Sequence, residues 1–203
     1  LDLTTIKTFL RTAGNYSEVF ALGYNLYRYF KKVEVGFGHV ELDFRDIKSI
    51  KISKLKEQQM KKSKLQEHEE NYLQGYQSRL ETLIKISKEN GIEPVLITQP
   101  VVFGDAKDNI TGINLGTIEV HNNENGIIAE SVLEFYNEIT RTVGINNNIL
   151  VIDLAKEMPK STQYYYDLLH YSNQGSEKVA EIIHNNLKPF FKKKFSEHSK
   201  SIN

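Results

Sequence analysis

Two short apolar runs constrain this chain more than any other feature. Pro94-Val95-Leu96-Ile97-Thr98 and Ile149-Leu150-Val151-Ile152-Asp153 have the length and composition of buried strands, and each follows a helical stripe stopped by a glycine. The first stripe is Tyr72, Leu73, Tyr76, Leu80, Leu83 and Ile84, ended at Asn90-Gly91. The second is Ile128, Val132, Phe135, Tyr136, Ile139 and Val143, closed by Gly144. Helix feeding strand, twice over, is the order expected of an α/β fold with a mostly parallel sheet covered on both faces. Thr98, Gln99 and Asp153 leave the carboxyl ends of those strands. There they either face the crevice in which open α/β sheets hold ligands or cap the strand ends.

The rest of the chain is arranged around this frame. Val19, Leu22, Leu26 and Phe30 predict a helix over Ser17–Lys32, and the alternation from Val33 to Phe44 predicts extended chain with a tight reversal. Between Ser53 and Glu70 the only apolar anchors are Leu55, Met60 and Leu65, set among many charges. Residues 48–70 therefore read as an exposed charged helical arm. Val101–Asn125 is a long glycine-containing connection, expected to be a lid, a binding loop or a mobile segment, and its Asn109-Ile110-Thr111 triplet is too short a glycosylation pattern to weigh. Val179, Ala180, Ile183, Leu187 and Phe190 place one face of a last helix on the sheet, followed by a flexible basic tail over 192–203.

Composition removes several classes of function. With 203 residues, 39% of them apolar, one domain is the expectation. The 26 basic and 26 acidic residues cancel, so no global field gathers nucleic acid or an anionic membrane. There is no cysteine, hence no disulfide, thiolate nucleophile or zinc-thiolate site. No apolar run reaches the roughly 20 residues that span a bilayer. His39, His68, His121, His184 and His198 are scattered without paired ligand spacing, and no glycine-rich phosphate loop follows either strand. No metal or cofactor is expected.

What remains as chemistry lies in Tyr164–Ile183, which reads Y-Y-Y-D-L-L-H-Y-S-N-Q-G-S-E-K-V-A-E-I-I. Asp167 and His170 stand three residues apart, just ahead of a helix whose expected N-cap is Ser172. One turn of backbone can bring carboxylate to imidazole. A carboxylate on one ring nitrogen fixes the tautomer, so that the other nitrogen can take a proton from a nucleophilic hydroxyl. The plain alternative is a loop staple. The helix behind His170 aims backbone N–H groups and a positive dipole end at the pair.

That stretch, with I-L-V-I-D-L-A and P-V-L-I-T-Q-P before it and L-E-F-Y-N-E-I-T-R between them, resembles the C-terminal part of SGNH/GDSL-type hydrolases over about residues 15–191. The resemblance implies a three-layer α/β/α fold with a mostly parallel sheet, and acyl-ester hydrolysis by serine. It makes Asp167 and His170 the last two triad members. Esterase action on a small-molecule or carbohydrate ester is the implied function, with acyl transfer to a sugar as its variant and a non-catalytic interaction module or degenerate scaffold as the alternative. The family's Gly-Asp-Ser nucleophile turn and its oxyanion-binding blocks have no match. Ser17 lacks the glycine-aspartate context, and the turn holding His39 and Glu41 lacks the required asparagine. The start at Leu1 is therefore expected to follow a missing nucleophile-bearing segment and its central strand, and the piece is expected to be less stable than the intact protein or to self-associate. Localisation is not legible, although the resemblance tilts it toward the cell envelope.

Overall fold

The computed structural model describes residues 42–121 and 123–195, with Thr12, Ser17, Val19, Ala21 and Leu22 ahead of them. The chain divides into two compact units, Leu1–Glu41 and Leu42–Asn203. In the first, Ala21 N–H donates to Ser17 O at 3.0 Å, one turn within the helix expected over Ser17–Lys32. The rest of that helix, the stretch 33–41 with His39 and Glu41, and residues 196–203 with His198 lie outside the described residues.

In the second unit Phe44 does not continue an extended strand. It opens a short 3₁₀ turn, Phe44–Asp46, which the Asp43 carboxylate caps by accepting from Arg45 N–H. Helix α1, Lys54–His68, has no buried residue, as its thin apolar pattern predicts. It is nevertheless tied down: Glu57 accepts from the Asn125 amide at 2.6 Å, Lys64 pairs with Glu124 at 3.0 Å, and His68 Nδ1 meets Tyr136 Oη at 2.8 Å. One π-type turn, Glu69–Leu73, joins α1 to α2, Gln74–Glu89, and buries Leu73; α2 buries Ile84.

Strand β1, Leu96–Ile97, then pairs in parallel with β4, Val151–Ile152, Leu96 opposite Val151 and Ile97 opposite Ile152. Past the pair, Thr98 N–H still donates to Ile152 C=O at 3.1 Å, while the next residue turns its backbone groups to the other side of β1. Gln99 N–H donates to Asn137 Oδ1 at 2.8 Å and Gln99 C=O accepts from Asn137 Nδ2 at 3.0 Å. A side-chain amide thus satisfies the groups a neighbouring strand would take. Between β1 and β4 come the antiparallel strands β2, Glu119–His121, and β3, Glu124–Asn125, and helix α3, Gly126–Asn146, whose N-cap Asn125 accepts from Ile128 N–H. Gly144 does not close α3. It lies inside the helix, where an added Cβ would stand 2.1 Å from Val151 Cγ2, so its bareness lets helix and strand approach. Helices α4, Leu154–Glu157, and α5, Asn173–Lys194, complete the unit. Lys192–Lys194 belong to α5, where the sequence suggested a flexible tail.

The result is a mixed α/β unit with one parallel strand pair. The Val101–Asn125 connection, expected to be a lid, a binding loop or a mobile segment, sends several of its side chains into the interior. Val102, Leu115 and Ile118 are 0% exposed, and Val101 and Phe103 no more than 5%, so this irregular stretch supplies the main core together with Ile152, Leu154, Tyr165 and Ile182. Ile84, Val143 and Ile149 form a smaller cluster.

Candidate active site

The residues at the strand ends act as caps. Thr98 Oγ1 donates to Asp153 Oδ1 at 2.9 Å and accepts from Ala155 N–H at 2.9 Å, starting α4 directly after β4. Asp153 also receives Arg141, Nε to Oδ2 at 2.8 Å and Nη2 to Oδ1 at 2.9 Å. Burial pushes the Asp153 carboxyl up, but the Arg141 and Thr98 hydrogen bonds outweigh it and hold it below the usual value. Thr98, Gln99 and Asp153 are thus bound among themselves and to α3. Of the alternatives the sequence left open, strand-end capping is the one observed.

Asp167 and His170 are brought together. They sit on a short excursion whose ends meet as a bridge between Tyr165 and Tyr171, with Tyr166 N–H donating to His170 C=O at 3.1 Å. Its neck is fixed by the start of α5. Ser172 N–H donates to Tyr164 C=O at 3.0 Å, while Ser172 Oγ donates to Gln163 C=O at 2.7 Å and accepts from Gly175 N–H at 3.1 Å. Gly175 is packed so tightly that a Cβ would fall 1.9 Å from Tyr164 O.

Within the excursion Asp167 Oδ1 accepts from the N–H groups of Leu169 at 2.8 Å and His170 at 2.7 Å, and Oδ2 meets His170 Nδ1 at 2.7 Å. Burial raises the Asp167 carboxyl, and the two backbone donors followed by the imidazole more than reverse it, holding it below its usual range. An ionised carboxylate only accepts, so Nδ1 is the donor in this contact; a neutral ring so oriented turns Nε2 outward as its acceptor nitrogen. The Tyr166 ring stacks on the imidazole, centroids 5.7 Å apart and planes 12° apart. The His170 side chain is 53% exposed against 25% for Asp167, so the ring is more open to solvent than the carboxylate that holds it.

Three groups near this site escaped the sequence reading. Asp108 is 1% exposed, and no ion pair to it occurs among the described residues. Its Oδ2 accepts from Thr111 N–H at 2.8 Å, Thr111 Oγ1 at 2.6 Å and Thr162 Oγ1 at 2.8 Å, and its Oδ1 from Thr162 N–H at 2.9 Å. Burial raises this carboxyl and those four donors pull it far down. Lys160 donates to Val101 C=O at 3.2 Å and Phe103 C=O at 2.8 Å, and pairs with Glu130 at 2.8 Å. Tyr165 is 2% exposed, and its hydroxyl has no hydrogen-bond partner among the described residues. A Thr three residues after Asp108 was the one available signal, that of a local side-chain turn. The Thr162 contact spans 54 residues and had none.

Among the described residues no cluster of three or more histidine, aspartate or glutamate side chains could hold a metal, and no helix is long and apolar enough to cross a membrane. A groove of about 430 Å³ between α1 and α3 is lined by Lys61, Leu65, Glu134, Phe135 and Glu138 among others, away from the Asp–His pair in sequence. No family model, curated protein or solved structure matches the chain.

Proposed function

We propose that this chain supplies the general base and its orienter to a serine ester hydrolase of SGNH/GDSL type, on a three-layer α/β/α scaffold of which the β1–β4 pair is part. The observation that carries the reading is the 2.7 Å contact of His170 Nδ1 with a carboxylate whose other oxygen is held by two backbone N–H groups. The two backbone bonds by themselves make a local Asx-type turn; what supports more than a staple is the second oxygen, left to the ring. Here the carboxylate is fixed first by the backbone and then presents one oxygen to the ring, which is the order of support expected of an orienter.

In the proposed reaction a serine Oγ attacks the acyl carbonyl of a small-molecule or carbohydrate ester while His170 Nε2 takes the hydroxyl proton. Asp167 stabilises the imidazolium so formed without accepting its proton. Collapse of the tetrahedral adduct expels the alcohol, which receives the proton from His170. Water, or a sugar hydroxyl in the transfer variant, then repeats the sequence on the acyl-enzyme. No Gly-Asp-Ser block lies within the 203 residues, so the nucleophile is assigned to none of them.

The test is labelling with a fluorophosphonate serine probe, applied to this chain and to the product of its complete reading frame. Labelling abolished by His170→Ala supports the reading. Absence of labelling in both leaves the pair as scaffold, and the α1–α3 groove then favours an interaction module.

A further inference from the structure

We propose that Asp108 is a positioning residue for the Asp167–His170 pair, holding the neck of their excursion through Thr162; its catalytic meaning rests on the hydrolase reading above. The excursion leaves the protein body at residues 161–164 and returns at Ser172. One side of the neck is held by α5 through Ser172 and Gly175. The other side is held by the loop after β1, and chiefly by Asp108, which takes both the N–H and the hydroxyl of Thr162 while Thr111 closes its own loop on the same carboxylate. Ser161 Oγ adds a 2.7 Å bond to Asn109 Oδ1 beside it. The same loop reaches the far end of the excursion, where Val102 N–H donates to Leu168 C=O at 3.4 Å, next to Leu169 and His170.

The fastening is direct at both ends and depends on one buried carboxylate. Among the described residues no cation balances Asp108, so the four donors alone support its charge. Losing the Thr162 hydroxyl, or exchanging the carboxylate for an amide whose NH₂ must face a donor, breaks that set unevenly. The neck then loosens on the loop side only, and freedom there is passed along the short path to Asp167. The N–H groups of Leu169 and His170 are the reporters, because both donate to Asp167 Oδ1 and exchange with solvent only when that bond opens.

The experiment is residue-resolved amide hydrogen exchange on the full-length protein and its Thr162→Val, Thr162→Ser and Asp108→Asn variants, with thermal melting and ester turnover alongside. Coupling predicts that Thr162→Val and Asp108→Asn speed exchange at Leu169 and His170 roughly tenfold, while Thr162→Ser, which keeps the hydroxyl, restores protection. Exchange in the interior of α3 should stay unchanged. In turnover, kcat should fall by about a hundredfold with KM little altered, as for a displaced catalytic group. If Asp108→Asn does not fold, Thr162→Val decides. Unchanged exchange at Leu169 and His170 in folded Thr162→Val overturns the proposal, as does equal loss in the serine variant. Exchange needs no turnover, so an inactive full-length protein would remove the hydrolase reading while the exchange pattern still decides the coupling.

Discussion

Arg141 meets Asp153 as a fork, Nε on Oδ2 at 2.8 Å and Nη2 on Oδ1 at 2.9 Å, and its remaining Nη1 reaches Glu134 at 2.6 Å and Glu138 at 2.9 Å. Burial works against the guanidinium, and these carboxylates more than compensate, so it is held charged at every working pH. The fork joins α3 to the end of β4. Arg141→Met should therefore cost about 2–3 kcal/mol, because three carboxylates lose their common cation while the methionine restores part of the packing. A chain of this size should melt some 5–10 °C lower. An unchanged melting temperature would show that the fork contributes nothing net.

Asp167→Asn should cost on the order of 10⁴ in ester turnover, because an amide can present its NH₂ to the ring and select the wrong tautomer. His170→Ala should be as damaging. Neither change touches the core, so circular dichroism should stay near wild type and melting should fall only slightly, by the loss of local bonds at Asp167. Turnover retained in either variant would remove these residues from the reaction.

Tyr165→Phe deletes a hydroxyl that is buried and has no partner among the described residues. Nothing favourable is lost and a desolvation cost disappears, so stability should be unchanged or rise by about 1 kcal/mol. A clear loss in denaturant unfolding would mean that the hydroxyl is bonded in solution.

Gly175→Ala would force a methyl toward Tyr164 O, 1.9 Å from the ideal Cβ position. Backbone must move, at about 1–3 kcal/mol. The shift falls on the neck of the Asp167–His170 excursion, so activity should fall further than an equal loss of stability from an ordinary surface site. Comparing turnover with melting in Gly175→Ala and in a surface variant of equal stability loss checks this.

Asp108, Asp153 and Asp167 all have carboxyls lowered on folding. Their contribution to stability is complete above the unfolded carboxylate value near pH 4 and is lost as pH falls through the lower folded values. Denaturant midpoints should thus be level, as far as these groups act, above about pH 5 and fall steeply below about pH 4. Asp153→Asn should flatten part of that acid limb. An acid limb identical in slope would assign it to other groups.

The helices were legible because their stripes are regular. Leu80 and Ile84 announce the core-facing side of α2, with Leu73 just ahead of it in the π-type turn, and Asn90-Gly91 announces its end. The Asp167–His170 contact was legible for the same reason: three residues is a local spacing. Gly144 misled because a helix-stopping glycine and one that admits a strand against the helix look alike until Val151 is placed beside it. Val102, Phe103, Leu115 and Ile118 misled because core residues on irregular backbone carry no period, so a stretch that builds the interior read as a lid. Asp108 could not be foreseen, since its partner Thr162 comes from a distant segment.

The π-type turn at Glu69–Leu73 makes the long helical rod a record of added length. Each residue advances an α-helix by about 100°, so a turn closed one residue late resets the phase of everything beyond it. The position behaves like a spacer absorbed without a loop, and shortening it by one residue would turn α1 about its own axis while leaving the core side of α2 in place.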